Sequence, residues 1–415
     1  MFQPFEYREG FLYCEGVELS KIADHAGTPC YVYSARGILD RFHAYDQGLY
    51  GIPHRVCYAV KANSNLSLLN LLAQAGAGFD IVSGGELHRV LKAGGDPGKV
   101  VFSGVGKTRE EIDSALQQGI HSFNCESEAE IALISSLASR LGKTASIALR
   151  VNPDVDASTH PYISTGLKEH KFGIDIAEVE GVYQRAAALP GISLDGVSCH
   201  IGSQLLDPAP LLEAATKMLA LVGRLRAKGI AIKELDLGGG LGVPYHAGDP
   251  RPDVDTFLRK IRQLVDGHNL FLMFEPGRSV VAESGALLSR VLYRKKNGEK
   301  EFVIIDASMT ELIRPALYEA HHEILPLRKS KFGTVVANIV GPVCESGDFL
   351  AENREVANVL PGDLLAIMTA GAYGFVMASN YNSRVRPPEI LVEGDTWRVI
   401  RQRETLDDLI RGEEL

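Results

Sequence analysis

Val56-Cys57-Tyr58-Ala59-Val60-Lys61-Ala62-Asn63 is a short apolar run that stops at a lysine. Such a run reads as a strand buried on both faces, the kind that fills parallel sheets. A lysine at its mouth is costly unless the amine has a partner or a covalent task. Working outward, eight runs read as strands: Val56–Val60, Gly78–Val82, Val100–Ser103, His121–Cys125, Ser146–Val151, Leu194–His200, Glu234–Leu237 and Leu270–Phe274. Helical patterns fall between most of them, as at Leu66–Ala75, Glu86–Ala93, Arg109–Gln118 and Ser127–Leu141. Repeated strand–helix units predict an α/β fold of the (β/α)8 TIM-like barrel type. An open doubly wound sheet has the same alternation, and position separates the two. Lys61, Asn124, Arg150, His200, Gly238 and Glu275 sit at the C-terminal ends of different strands, which on a parallel barrel share one face. The stretch 152–173 is a long connection rich in His, Lys, Gly and Thr, expected to overhang that face.

After Arg278 the rhythm changes. Gly285–Lys295, Glu301–Asp306, Thr334–Gly341, Asp363–Met368 and Ile390–Ile400 read as strands without regular helices between them. This predicts a second, mostly antiparallel β domain, which the N-terminal strands Phe11–Cys14 and Tyr31–Tyr33 are expected to complete. The domain expectation is therefore a barrel over 34–278, with 1–33 and 279–415 forming the β domain.

At 415 residues the chain is long enough for two cores, and 45% apolar with 23% charged residues are ordinary globular proportions. A net charge of −9 gives no reason to expect nucleic acid or a membrane surface as partner. The first ten residues lack a basic segment followed by an apolar run, so no signal peptide is expected, and no apolar stretch is long enough to span a bilayer. The six cysteines are scattered, without a C-x-x-C pair, which favours reduced thiols in a cytoplasmic protein and no metal site.

Six groups could carry chemistry. Lys61, if desolvated, can lose its proton and form a Schiff base; the bland reading is a surface lysine. Gly238-Gly239-Gly240-Leu241-Gly242 follows the seventh strand, where barrel loops commonly bind phosphate through backbone N–H groups, and Ser203 could add a hydroxyl. Alone, the glycine run is a tight turn. Glu275 could hold a proton on a pyridine nitrogen, or merely pair with Arg278. His200 is either a packed core histidine or a flat wall against a ring. Cys344, in the loop Gly341-Pro342-Val343-Cys344-Glu345-Ser346-Gly347-Asp348, is either a small buried hydrophobe or a proton donor. Arg314 and Tyr318, four apart, could share a helix face and clamp a carboxylate. An amine, a ring-stacking group, a phosphate cradle, a carboxylate and a thiol are together the inventory for amino-acid chemistry run through pyridoxal 5′-phosphate.

These motifs together resemble the group IV, alanine-racemase-fold pyridoxal-phosphate decarboxylases, and among them the diaminopimelate decarboxylases. The resemblance rests on Tyr58–Asn63, His200-Ile201-Gly202-Ser203-Gln204, Leu237–Gly240, Glu275-Pro276-Gly277-Arg278, Ile313–Tyr318, Cys344–Asp348 and Gly371-Ala372-Tyr373-Gly374, spread over essentially the whole chain. It implies decarboxylation of meso-2,6-diaminopimelate to L-lysine, with Lys61 as covalent anchor of the cofactor, His200 stacked on its ring and Glu275 at the ring nitrogen. Ser203, Gly239, Gly240, Gly277, Arg278 and Tyr373 would hold the phosphate or its neighbours. Arg278, Arg314, Tyr318 and Tyr373 would bind substrate, with Glu345 pairing the distal ammonium. Cys344 would be the proton donor and would come from the partner subunit of a homodimer with shared sites. Ser308, Thr310 and Glu311 depart from the family pattern, where Gly, Asn and Asp are more usual. Ornithine- or arginine-type decarboxylases have substrates without a distal carboxylate, which would leave Arg314 and Tyr318 purposeless. An amino-acid racemase of this fold places an arginine near the ring nitrogen instead of Glu275. A non-catalytic cofactor-binding regulator would need neither Cys344 nor a complete clamp.

Overall fold

The computed structural model describes residues 2–155 and 171–415. Within 42–243 and 250–279 the chain forms one unit, and 1–41, 244–249 and 280–415 form another.

The first unit starts from the strand read above. β1 (His54–Ala59) is buried along Val56–Ala59, and Lys61 lies in the 3-10 turn Val60–Ala62 that follows, one residue sooner than the run of apolar residues suggests. The remaining strands are β2 (Gly78–Ile81), β3 (Val100–Phe102), β4 (Ser122–Cys125), β5 (Ala145–Asn152), β6 (Ile192–Ser198), β7 (Glu234–Asp236) and β8 (Phe271–Phe274). Every neighbour pair is parallel, β8 pairs with β1, and the β4–β5 pairing completes the ring, so the sheet is a closed eight-stranded barrel. An open sheet is thereby excluded. His200 lies two residues beyond the end of β6 rather than closing it.

Helices follow the strands, and their starts are chemically marked. Ser83, Thr108 and Ser127 each accept a hydrogen bond from the backbone N–H three residues on, opening the helices Gly84–Lys92, Arg109–Gln118 and Glu128–Arg140. Thr108 and Glu111 form a reciprocal capping box. Caps of this kind contribute about 1 kcal/mol each and fix where the chain turns off the barrel rim. After β8 comes the four-residue helical turn Arg278–Val281, followed by the 3-10 turn Ala282–Ser284.

Of the expected connection over 152–173, residues 156–170 lie outside the described residues. β5 ends at Asn152, and a short strand Ile174–Asp175 pairs in parallel with Val151 and Asn152.

The second unit is built on the strand Gly285–Asn297. Its first half pairs antiparallel with Cys30–Ser34 and with Leu364–Ile367, and its second half with Lys300–Ile305. Cys30–Ser34 lies between Gly285–Asn297 and Glu389–Glu393, so the N-terminal segment supplies an interior strand of this sheet. Phe5, Leu12, Ile22, Val32, Leu288, Ile390 and other buried apolar residues make one cluster around it. Most pairings are antiparallel; those of Lys300–Ile305 with Thr334–Val340 and of Cys30–Ser34 with Glu389–Glu393 are parallel. The run Ile390–Ile400, expected as one strand, is a hairpin of Glu389–Glu393 and Thr396–Arg401 turning at Gly394, whose φ is +62°. Strand Phe349–Ala357 was not expected, because its Glu352-Asn353-Arg354-Glu355 stretch breaks the apolar alternation. Among the described residues no helix is long and apolar enough to cross a membrane.

Candidate active site

Side chains from strands that are not neighbours can meet only across the barrel interior, and here they do. Asn124 on β4 donates from Nδ2 to Asp236 Oδ2 on β7 at 2.9 Å and to Glu275 Oε1, just after β8, at 3.2 Å. The same nitrogen donates to Ser103 Oγ at 3.1 Å, and Ser103 Oγ in turn lies 3.4 Å from Glu275 Oε1. Asp236 and Glu275 thus share Asn124 Nδ2 as a donor, and Gly238 N–H donates to Asp236 Oδ1 at 2.8 Å. Two buried acids held on one donor repel each other unless one of them carries a proton. Burial raises the proton affinity of both, and the neighbouring charges of Asp236 and Asp80 push Glu275 further, well above the ordinary carboxylate range.

Lys61 sits at the same end. Its Nζ is 2.7 Å from Asp80 Oδ2 on β2, and Asp80 is fully buried while Lys61 retains some exposure. That pairing answers the cost noted for a lysine at a strand mouth. Lys107 is the instructive contrast. It is fully buried, yet its amine donates to the carbonyls of Gly104 and Asn124 at 2.8 Å each and pairs with Glu130 at 2.5 Å, which consumes all three of its protons.

His200 accepts the Gly239 N–H at Nδ1 over 3.2 Å, so its ring proton is on Nε2. Burial, together with the charges of Arg150 and Lys61, holds the imidazole neutral, its pKa well below the usual value. Arg150 itself is engaged with Glu126 at 2.8 Å and with the Phe172 ring. Arg278 donates to Ser203 Oγ from Nη2 at 3.0 Å and from Nε at 3.3 Å, bringing together two residues that the sequence reading assigned to the phosphate.

The glycine turn is shaped by close approach. A Cβ on Gly239 would stand 2.4 Å from the Glu275 carbonyl oxygen, and one on Gly240, where φ is +110°, would stand 2.7 Å from that of Gly202. At Gly277 it would press on Ala62 Cβ at 2.9 Å. Among the described residues the N–H groups of Gly240 and Gly277 donate to no protein acceptor. Asp80 Oδ1, Asn124 Oδ1 and Ser198 Oγ are buried polar atoms without a hydrogen-bond partner. Orphaned polar atoms in a native fold call for a partner from outside the chain. An amine, a neutral flat imidazole, a protonated carboxyl pair, and N–H groups beside a hydroxyl and a guanidinium fit a phosphorylated pyridine aldehyde.

In the second unit, Arg314 and Tyr318 do lie on one helical turn, Arg314–Tyr318. Arg314 donates from Nη1 to His322 Nε2 at 2.9 Å and stacks over the Tyr245 ring at 4.5 Å. Because a guanidinium only donates, His322 Nε2 is the acceptor and its Nδ1–H donates to the Met368 carbonyl at 2.8 Å. Burial and the adjacent Arg314 charge hold His322 neutral, well below the usual pKa. Cys344 is exposed, with its N–H donating to Asn382 Oδ1 at 2.8 Å. Glu345 is likewise exposed, and Tyr373 is half-buried with φ of +54°. The Cys344 loop is pinned by Asp348, whose carboxylate accepts the Met309 and Val343 N–H groups at 2.7 Å each. The departure at Ser308, Thr310 and Glu311 forms its own buried knot. Ser308 N–H and Oγ both bond Glu311 Oε2 at 2.7 Å, and Thr310 Oγ1 reaches Oε1 at 2.9 Å.

The sequence reading missed Asp80, Asp236, Tyr245 and His322. An acid inside an apolar strand, as in Glu234-Leu235-Asp236-Leu237, was the signal available for the first two.

A family model described as pyridoxal-dependent decarboxylase, pyridoxal binding domain, matches residues 35–282. A Pseudomonas aeruginosa protein named diaminopimelate decarboxylase is 55% identical over 411 residues, which is 99% of this chain and 99% of that protein. The crystal structure of diaminopimelate decarboxylase from M. jannaschii in co-complex with L-lysine superposes with a TM-score of 0.95 at 38% identity, covering 100% of this chain and 99% of that one. The Helicobacter pylori enzyme complexed with L-lysine gives 0.91 at 44% identity, over 95% and 98%.

Proposed function

The chain belongs to the pyridoxal-dependent decarboxylases, and among them to the diaminopimelate decarboxylases, and we propose how its residues divide the work of releasing CO₂ from meso-2,6-diaminopimelate to leave L-lysine. When bound, pyridoxal 5′-phosphate supplies an aldehyde that condenses with amines and a protonated ring that draws off the electron pair left by departing CO₂. The observation that carries the reading is the meeting of Lys61, Asp80, Asn124, Asp236 and Glu275 across one end of a closed barrel, beside a glycine turn with spare N–H groups.

Lys61 is the amine that anchors the cofactor, and Asp80 fixes its position through the 2.7 Å pair. His200, kept neutral, presents a flat face without adding charge against a ring that must stay cationic. Glu275 faces the ring nitrogen. Ser203, Gly240, Gly277 and Arg278 hold the phosphate through O–H and N–H donors, Gly239, whose N–H is taken by His200, lets the turn approach closely, and Tyr373 is assigned to the same group. Arg314 and Tyr318, with Arg278 and Tyr373, grip the carboxylate that does not react, and Glu345 takes the distal ammonium. Holding the unreactive end is the productive choice, because equal grip on the leaving carboxylate would stabilise the ground state as much as the transition state. Cys344 returns a proton to the α-carbon; an exposed thiol in a pinned loop suits a group that serves the partner copy of a homodimer. The all-thiol state of the described cysteines supports a cytoplasmic setting.

The test is CO₂ release by the cofactor-loaded protein from a panel of diaminopimelate isomers, lysine, ornithine and arginine. Release from the meso isomer alone is the expected result. Equal release from ornithine would remove the carboxylate grip from the mechanism.

A further inference from the structure

The pair Glu275–Asp236 goes beyond a single carboxylate at a ring nitrogen. Asp236 is fully buried on β7, and its two oxygens are already taken by donors: Oδ1 by Gly238 N–H at 2.8 Å, and Oδ2 by Asn124 Nδ2 at 2.9 Å. Those donors favour the anion on Asp236. Glu275, held on the same Asn124 nitrogen, has the longer contacts, 3.2 Å from Asn124 and 3.4 Å from Ser103, so of the two neighbouring acids Glu275 is the one that carries a proton. The surroundings agree. The groups acting on the pair are Asp80 on β2, Lys61 after β1, and the thiols Cys57 on β1 and Cys199 after β6, the latter also facing Arg150 on β5. Asp80 raises the proton affinity of Glu275, Lys61, paired with Asp80 at 2.7 Å, lowers it by less, and burial keeps both thiols protonated.

We propose that Asp236 is a positioning residue that keeps Glu275 protonated in the free protein, so that Glu275 delivers this proton to the cofactor ring nitrogen as the ring seats. In that step the Glu275 O–H bond breaks and a ring N–H bond forms. Glu275 becomes the carboxylate paired to the cationic ring, and Asp236 stays an anion throughout. No outside acid is consumed, and the ring is protonated in a place where bulk pH has little say. This rests on the reading of Glu275 at the ring nitrogen, but its first measurement does not.

The measurement is the infrared carbonyl band of a buried carboxylic acid in cofactor-free protein, followed across pH. Wild type should show at neutral pH a band component that Glu275→Gln removes and that Glu86→Gln, which takes away the other acid pushed up to about 7, leaves in place. Asp236→Asn removes the neighbouring charge and should move the band's midpoint down by at least about one pH unit, a tenfold change in proton affinity. Asn124→Ser removes a donor that favours the ionised forms and should move it up, which keeps the idea testable if Asp236→Asn folds poorly. In the loaded Asp236→Asn protein, cofactor absorbance should become pH-sensitive near neutrality, and kcat should fall by about tenfold or more with KM changed less than about twofold. A wild type without the band, or midpoints unmoved in both variants, overturns the proposal. If instead the band behaves as expected but Glu275→Gln leaves the cofactor spectrum unchanged, the placement of Glu275 at the ring is what fails.

Discussion

The barrel end and the Arg314 cluster bury charge in opposite ways. In the barrel, three acids, Asp80, Asp236 and Glu275, gather around one amine, so the site holds surplus negative charge and raises proton affinity. In the β unit a guanidinium is packed against two rings, neutral His322 and Tyr245, which fix its direction without adding charge of their own. An acid-rich cavity selects a cationic ring; a guanidinium set among rings selects a carboxylate. Each region states half of the substrate problem, and the two can be broken separately.

The largest effect belongs to the barrel. Lys61→Ala should lower turnover by at least about a thousandfold and abolish visible absorbance of the loaded protein, because no other side chain can replace the anchoring amine. It also leaves buried Asp80 without its cation, so folded content must be verified first. If a normal rate survived in folded protein, the assignment of Lys61 would be wrong. Mixing Lys61→Ala with Cys344→Ala subunits should restore part of the activity, and no recovery would remove the shared-site homodimer.

Arg314→Ala comes next. It should raise KM for diaminopimelate by about tenfold to a hundredfold, the worth of a charge-assisted bond, while cofactor absorbance stays normal. An unaltered KM would move the grip elsewhere.

The last two expectations concern pH, and the regions should differ in sign. His322 is held neutral in the folded state, whereas the unfolded chain takes up its proton below about pH 6.5. Stability of the β unit should therefore fall as pH drops below that value, by about 1.4 kcal/mol per pH unit for this group, and His322→Gln should flatten the fall. Glu86, on the helix after β2, is pushed up to about 7, first by burial and also by Asp80, against the Val82 amide and Lys61. Between its unfolded value of about 4.3 and about 7 the folded barrel keeps a proton the unfolded chain has lost, so its stability declines as pH rises. Glu86→Gln should remove about 1 kcal/mol of that decline, after allowance for partial exposure. Hydrogen exchange read separately for the two regions would check both slopes, and slopes of equal sign would contradict the comparison.

The same contrast explains what the sequence could reveal. Barrel residues are legible because parallel strands broadcast their ends. Lys61, Gly238 and Glu275 each follow an apolar run, and a closed parallel sheet brings such ends together whatever their separation in the chain. Asp80 and Asp236 were hidden by the same rule, since an acid within a short strand looks like a weak strand rather than a site. The Arg314 cluster had one legible spacing, Arg314 to Tyr318. Tyr245 and His322 come from irregular segments, and Tyr245 interrupts the barrel sequence while belonging to the β unit, which no periodicity announces. The hairpin at Gly394 was lost because the five-residue and six-residue strands on its two sides outweighed one Glu-Gly-Asp turn signal.

Strand Cys30–Ser34 has a consequence for how the molecule is made. One of its two neighbours, Glu389–Glu393, is translated only after the whole barrel sequence. A nascent chain therefore carries an open apolar strand edge through most of its synthesis, and messages truncated before codon 389 yield products that keep it. Only translation as far as Glu393 closes that opening.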